Sequence, residues 1–294
     1  MGAPDLQDHH SLQQDPGFER ALQLCGQTPV RLRGGALLLC RRFVWGRAAL
    51  LSRVDITPGR LADLLAQMIA CGLGRTPVII SPEGRIGLGF CGALPLMTPA
   101  FTAQMALPLA PARLHPKWRN QLRRAEGHST AVQHSPLPAT PDHPLIRAEA
   151  AQRRARGYGN WPLPLTIAFA RCAPQQTHLF TAVSQGQPVA YMLFLQHGAT
   201  ASYHIGYTSD RGRRLCAHNL LLWNAAQDLA QRGVRRLDLG LLDSRNAPGL
   251  VRFKLRSGAQ PHQLGGTWLL WPALSHRLLG LQGFSGHPGP PAGN

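Results

Sequence analysis

Between His178 and Ser209 the chain holds three apolar runs with almost nothing between them: HLFTAVS, VAYMLFLQH and TASYHIGYTS, the first two joined by QGQP. Runs rich in aromatic and β-branched residues and joined by such tight turns read as neighbouring antiparallel strands. The next stretch, RGRRLCAHNLLLWNAAQDLAQRG (residues 211–233), changes period. Leu221, Ala225 and Leu229 recur every four residues and Gly233 closes the run, which predicts one long helix. VRRLDLG (234–240) reads as a strand, NAPGLVRFKLRSG (246–258) as a short helix ended by Gly258, and HQLGGTWLL (262–270) as a last strand. A meander followed by helix, strand, helix and strand makes a mixed sheet with helices on both faces.

The earlier half reads as a second, weaker version of the same alternation. GALLLCRRF and RAALLSRV, separated by VWG, predict a hairpin. Thr57-Pro58 opens a helix whose Leu61, Leu64, Leu65 and Met68 share one face. TPVIIS and IGLGFCGALPL predict two more strands, giving β-β-α-β-β. From residue 114 the pattern shifts: HPKWRNQLRRAEG is a helix with Trp118, Leu122 and Ala125 on one side. A proline-rich loop and a polar helix over about 145–156 follow. At 294 residues the chain sits near the size at which one core divides. The expected partition is a flexible 1–20, a first lobe 21–113, connecting helices 114–160, a second and better-formed lobe 161–275, and a disordered tail 276–294.

Charge points to the partner. The net charge is +17 and the pI about 11.2. Only four acidic residues follow Glu149, so the positive field concentrates on the second half. Such a surface suits an anionic partner: nucleic acid, a nucleotide co-substrate or a lipid surface. The arginines are nevertheless scattered, without a basic tail. Residues 86–112 carry no charge, but Pro95, Pro99, Pro108 and Pro111 break them too often for a membrane helix. The polar N-terminus is no signal peptide. The six cysteines form no CxxC and read as free thiols of a reducing compartment, so the expectation is a soluble, cytoplasmic protein. Thirteen histidines at scattered spacing predict no metal site.

The order of elements, together with ASYHIGYTS, AHNLLLW, DLG and PGLVRFKLRSGA, resembles the GNAT acyltransferases, and more narrowly their Fem-type branch of peptidyltransferases. KWRNQLRRAE also resembles the segment that follows the first lobe in Fem-like proteins. The resemblance spans about residues 30–272. It implies an α/β fold of two GNAT-like lobes, each a mixed, mostly antiparallel sheet flanked by helices. It further implies transfer of an acyl group to an amine, with no tightly bound cofactor. The donor is acyl-coenzyme A in most of the superfamily, the first expectation here, and aminoacyl-tRNA in the Fem branch. A nucleic-acid-binding or regulatory protein on an inactive scaffold is a further alternative, and lipid modification at a membrane surface another.

The resemblance also assigns roles. In the Fem branch a Phe-Lys pair lies near the transferred group and its lysine is functional; here it is Phe253-Lys254. Lys254 and Lys117 are the only lysines among 31 basic residues, which suggests that a compact ammonium is wanted at position 254. As a cation it would hold phosphate or stabilise an oxyanion; as a base it would need its pKa lowered by burial. Arg211, Gly212, Arg213 and Arg214, opening a helix, are the expected donor-phosphate site. Ser209 and Arg214 depart from the superfamily's [Q/R]-x-x-G-x-[G/A] loop. Gly206 is expected to bulge the strand. His204, sharing a strand face with Gly206 and Thr208, and Asp238 are candidate catalytic groups. Asn219 is a candidate donor contact, and Lys117, Tyr207, Asp243 and Phe253 are candidate substrate contacts.

Overall fold

The computed structural model describes residues 11–44, 46–157 and 159–281. The first ten residues and the tail from 282 onward lie outside these. In chain order the elements are α1 (Pro16–Leu24), β1 (Pro29–Arg31), β2 (Leu37–Phe43), β3 (Gly46–Val54), α2 (Pro58–Ala70), β4 (Val78–Pro82), β5 (Leu94–Met97), β6 (Phe101–Ala106) and α3 (Pro116–Glu126). There follow β7 (Thr130–Ser135), α4 (Pro144–Arg156), α5 (Leu163–Cys172), β8 (Thr177–Ser184), β9 (Gln187–His197), β10 (Thr200–Thr208), α6 (Asp210–Arg214) and α7 (Ala217–Gln231). The chain ends with β11 (Arg236–Leu241), α8 (Pro248–Arg256), β12 (Gln260–Gln263), β13 (Thr267–Leu270) and α9 (Pro272–Leu281).

Two mixed sheets result, each within its own compact unit. One unit, residues 27–100 with 263 onward, holds the order β1-β2-β3-β4-β13-β5. Its core gathers Leu61, Leu64, Leu65 and Met68 of α2 against Leu51, Val78 and Ile80 of the sheet. Thr57 caps α2 by accepting from the Arg60 N–H, as its sequence predicts. The other unit, residues up to 26 with 101–262, holds β12-β6-β11-β10-β9-β8-β7. Here Trp118, Leu122 and Ala125 of α3 and Leu221, Ala225 and Leu229 of α7 form one buried cluster with Phe180 and Phe194.

Several expectations need correction. The linear bounds assign residues 101–113 to the first lobe and 263–275 to the second, but β6 pairs with β11 and β13 pairs with β4 and β5. HQLGGTWLL is therefore two strands in two sheets, turned at Gly266, whose φ of +81° an L side chain rarely adopts. Residues 11–20 are not loose: Asp15 caps α1 through the Gly17 N–H and Pro16 presets its first turn. α9 continues the ordered chain to 281, past the expected boundary at 276. The long helix of 211–233 is two helices, because Cys216 takes φ +52° between α6 and α7. Among the described residues no helix is long and apolar enough to cross a membrane.

Candidate active site

The two central strands of the larger sheet part company. β10 and β11 are parallel, yet they pair only from Thr200 to Ser202 against Arg236 to Asp238. Beyond that point each strand bulges. On β10 the register against β9 shifts between Tyr203 and Ile205, leaving His204 as the extra residue. On β11 the register against β6 shifts between Asp238 and Leu241. The DLG sequence explains the second bulge: the Asp238 carboxylate accepts from the Gly240 N–H at 2.7 Å, and Gly240 takes φ +78°. Bulges of this kind re-aim side chains and terminate pairing.

The first bulge corrects the expected strand faces. Gly206 does not form the bulge; it pairs in register with Met192. With one residue inserted at His204, Gly206 comes to the same face as Tyr203. A Cβ on Gly206 would lie 1.9 Å from the Tyr203 hydroxyl. Tyr203 thus arches over its own strand, its ring 5.7 Å from Phe194, and burial raises its pKa.

Into this region α8 delivers Lys254. The residue is 5% exposed. Its walls are apolar: Met192, Tyr203, Leu222, Leu239, Leu250 and Phe253. Its ammonium donates to the Leu241 carbonyl at 2.8 Å and lies 3.8 Å from where a Cβ on Gly240 would stand. Burial pulls its pKa down to about 8, against the opposing pull of the Asp238 carboxylate. Near neutrality the group is mostly a desolvated cation, with a neutral form within reach. Phe253 sits between Trp118 and His218, ring centroids 6.1 and 6.4 Å away, which fixes this end of α8.

Of the candidate residues, the fold brings Lys254, Phe253 and Asp238 together and adds Tyr203, which periodicity alone did not single out. His204 turns to the other face of β10. There it meets the Thr166 hydroxyl at 2.8 Å and the Trp161 ring at 4.7 Å, and burial drives its pKa down to about 3. It is a packed neutral histidine, away from Lys254. Tyr207 lies near Tyr191, and its carbonyl accepts from His218 at 3.0 Å. Asn219 is buried between helices, donating toward Gln121 of α3 at 3.4 Å. Asp243 closes its own turn by accepting from the Arg245 and Asn246 N–H groups, and the Asn246 bonds hold its pKa down. Lys117 is exposed on α3.

The expected phosphate site is largely committed to structure. Ser209 caps α6 by accepting from the Gly212 N–H at 3.1 Å. Gly212 is a glycine for packing: a Cβ there would stand 2.4 Å from the Val189 carbonyl oxygen and 2.6 Å from the Thr208 hydroxyl. Arg211 donates to Ser184, and Arg213 to the Thr208 carbonyl and Asp210. Arg214 is exposed.

Residues 116–254 match the family model described as an acetyltransferase (GNAT) domain. The curated proteins contain no significant sequence match. Among solved structures the chain resembles FemX at TM-score 0.73, with 12% identity over 88% of this chain and 92% of that one. It also resembles the C-terminal domain of a putative lysylphosphatidylglycerol synthetase from Agrobacterium fabrum at TM-score 0.59, with 13% identity over 95% and 96% of the two chains. The L-PGS of Bacillus licheniformis gives TM-score 0.56 and 13% identity over 93% and 99%. At these identities the likeness is one of fold: two GNAT-like lobes of the Fem type.

Proposed function

With an acetyltransferase (GNAT) domain in residues 116–254, we propose that the protein moves an acyl group onto an amine and takes that group from an aminoacyl-tRNA. The observation that carries the reaction type is Lys254: a buried ammonium held by the Leu241 carbonyl where β10 and β11 separate. In the reaction the amine nitrogen bonds to the acyl carbonyl carbon and the ester C–O bond of the donor breaks. The tRNA 3′ oxygen leaves with the proton that the amine gives up. Negative charge gathers on the carbonyl oxygen in between, and a preorganised cation in an apolar crevice stabilises it without reorganisation. Asp238 favours the charged form of Lys254, and the Tyr203 hydroxyl offers a second donor from the same crevice.

What is already occupied supports the tRNA donor. A pantetheine arm lying along β10 would need strand carbonyls as acceptors for its amide N–H groups. The His204, Gly206 and Thr208 carbonyls already accept from Asn160, Gln152 and Arg213. The Gly212 N–H, which a pyrophosphate would use, is taken by Ser209. The exposed Lys117, Arg123, Arg124 and Arg214, within a chain of net charge +17, favour a polyanion. The likeness to a Fem-type fold supports the same donor class.

The test is direct. The protein is incubated with labelled aminoacyl-tRNA or labelled acetyl-coenzyme A and a panel of peptide amines, amino sugars and phosphatidylglycerol vesicles. Product labelled from aminoacyl-tRNA is expected. Labelling from acetyl-coenzyme A alone overturns the donor, and tRNA binding without transfer from either donor overturns the enzyme.

A further inference from the structure

We propose that His134, His178 and Asp228 bind one divalent cation of the zinc type, at the β7 edge of the larger sheet and apart from the Lys254 crevice. The histidines are 44 residues apart in sequence, which no spacing motif detects. Pairing brings them together: β7 runs antiparallel to β8 with His134 opposite Phe180, so His178 lies on the diagonal. Their ring nitrogens face each other, His134 Nε2 to His178 Nδ1, at 3.1 Å. Asp228 comes over from α7, its Oδ2 3.9 Å from His134 Nδ1. One ligand atom from each of the three residues falls within 4.8 Å of the others.

The surroundings fit a ligand set. The Gln196 amide is oriented by its NH2 group, which donates to the Gly198 carbonyl at 3.2 Å. Its Oε1 then accepts from His178 Nε2 at 2.9 Å. His178 therefore carries its proton on Nε2 and presents the Nδ1 lone pair to the cluster. An outer-shell partner that fixes the tautomer of a ligating histidine is the arrangement metal sites use. Burial lowers the pKa of both histidines. His178 is buried, whereas the His134 and Asp228 side chains are 23% and 30% exposed, which leaves an entry path and room for water. Two imidazoles and a carboxylate suit zinc and its neighbours and disfavour calcium or magnesium.

Arg232 is the competitor. It pairs with Asp228 through Nε at 2.6 Å and donates to His134 Nδ1 at 3.2 Å. In this arrangement His134 gives its Nε2 proton to His178. Metal binding requires Arg232 to swing out, which its 46% exposure permits, and His134 to move its proton to Nδ1. The cation would then tie the edge strand β7 to β8 and α7.

The experiment titrates the full chain, under reducing conditions, with zinc chloride by calorimetry and with cobalt(II) by absorption. One equivalent is expected, with cobalt bands of nitrogen and oxygen ligation and no thiolate charge transfer, which excludes the six cysteines. His134→Gln, at a half-buried position, should abolish uptake with an unchanged metal-free melt. Gln196→Ala should weaken it about 10–100-fold, the scale for an outer-shell partner. Arg232→Met should tighten it. Absence of uptake with zinc in large excess overturns the proposal, as does undiminished uptake by His134→Gln.

Discussion

The Tyr203 hydroxyl occupies the space that a side chain on Gly206 would fill, 1.9 Å from the missing Cβ. The contact spans a bulge: the extra residue His204 is what turns both groups to one face. Gly206→Ala should push the Tyr203 ring, whose Cζ stands 2.9 Å away, out of the crevice it shares with Lys254. The expected cost in stability is about 1–3 kcal/mol, the scale for overpacking, with a clear loss of transfer activity. Tyr203→Phe removes the clashing oxygen, so a double-mutant cycle by chemical denaturation should show positive coupling. Additive effects would mean that the two residues do not constrain each other.

Gly212 makes a different claim. Its Cβ would meet the Val189 carbonyl oxygen at 2.4 Å, and a backbone carbonyl within a sheet has no room to retreat. Gly212→Ala should lower the melting temperature substantially, with donor affinity following the folded fraction. A variant of normal stability that has lost donor binding would return Gly212 to the phosphate site.

The basic surface is tested by salt. Arg214→Ala, and Arg123→Ala with Arg124→Ala, alter exposed side chains. Each lost phosphate contact should reduce the slope of log affinity for tRNA against log salt by roughly 0.7–0.9. Slopes identical to wild type would remove these arginines from the tRNA footprint.

The α2 and α3 faces were readable because Leu61 to Met68 and Trp118 to Ala125 repeat at helical spacing. The meander was readable from its apolar runs and the QGQP turn between the first two. Strand exchange was not: nothing local in HQLGGTWLL says that its two halves serve different sheets. Bulges were equally hidden, since one inserted residue at His204 inverts every later face assignment on β10. That is why Gly206 was grouped with His204 and Tyr203 was overlooked. Lys254 was legible as a chemical oddity, a lysine among arginines, but its burial depends on Leu241 and Asp238, which arrive from another element.

Burial of Lys254 has a thermodynamic signature. Its pKa falls from 10.5 to about 8 on folding, so between those values the unfolded chain holds a proton that the folded one has released. Stability from this group therefore rises with pH across that window, and below about pH 8 folding carries the cost of a buried charge. Urea melts of wild type and Lys254→Met should diverge in slope across this window, with wild type gaining stability relative to the variant as pH rises. Parallel curves would place the lysine in solvent.

The role of Lys254 as a cation in acyl transfer can be read from single-turnover transfer from aminoacyl-tRNA to an amine across pH. Taking the ratio of wild-type to Lys254→Met rates cancels the titration of the acceptor amine. Near neutrality that ratio should be about 10²–10³, the scale for losing one oxyanion-stabilising group. The ratio should fall as pH passes about 8, where the ammonium deprotonates. A ratio that climbs to a plateau above pH 8 would make Lys254 a base, and a ratio near unity at every pH would contradict its part in the reaction altogether.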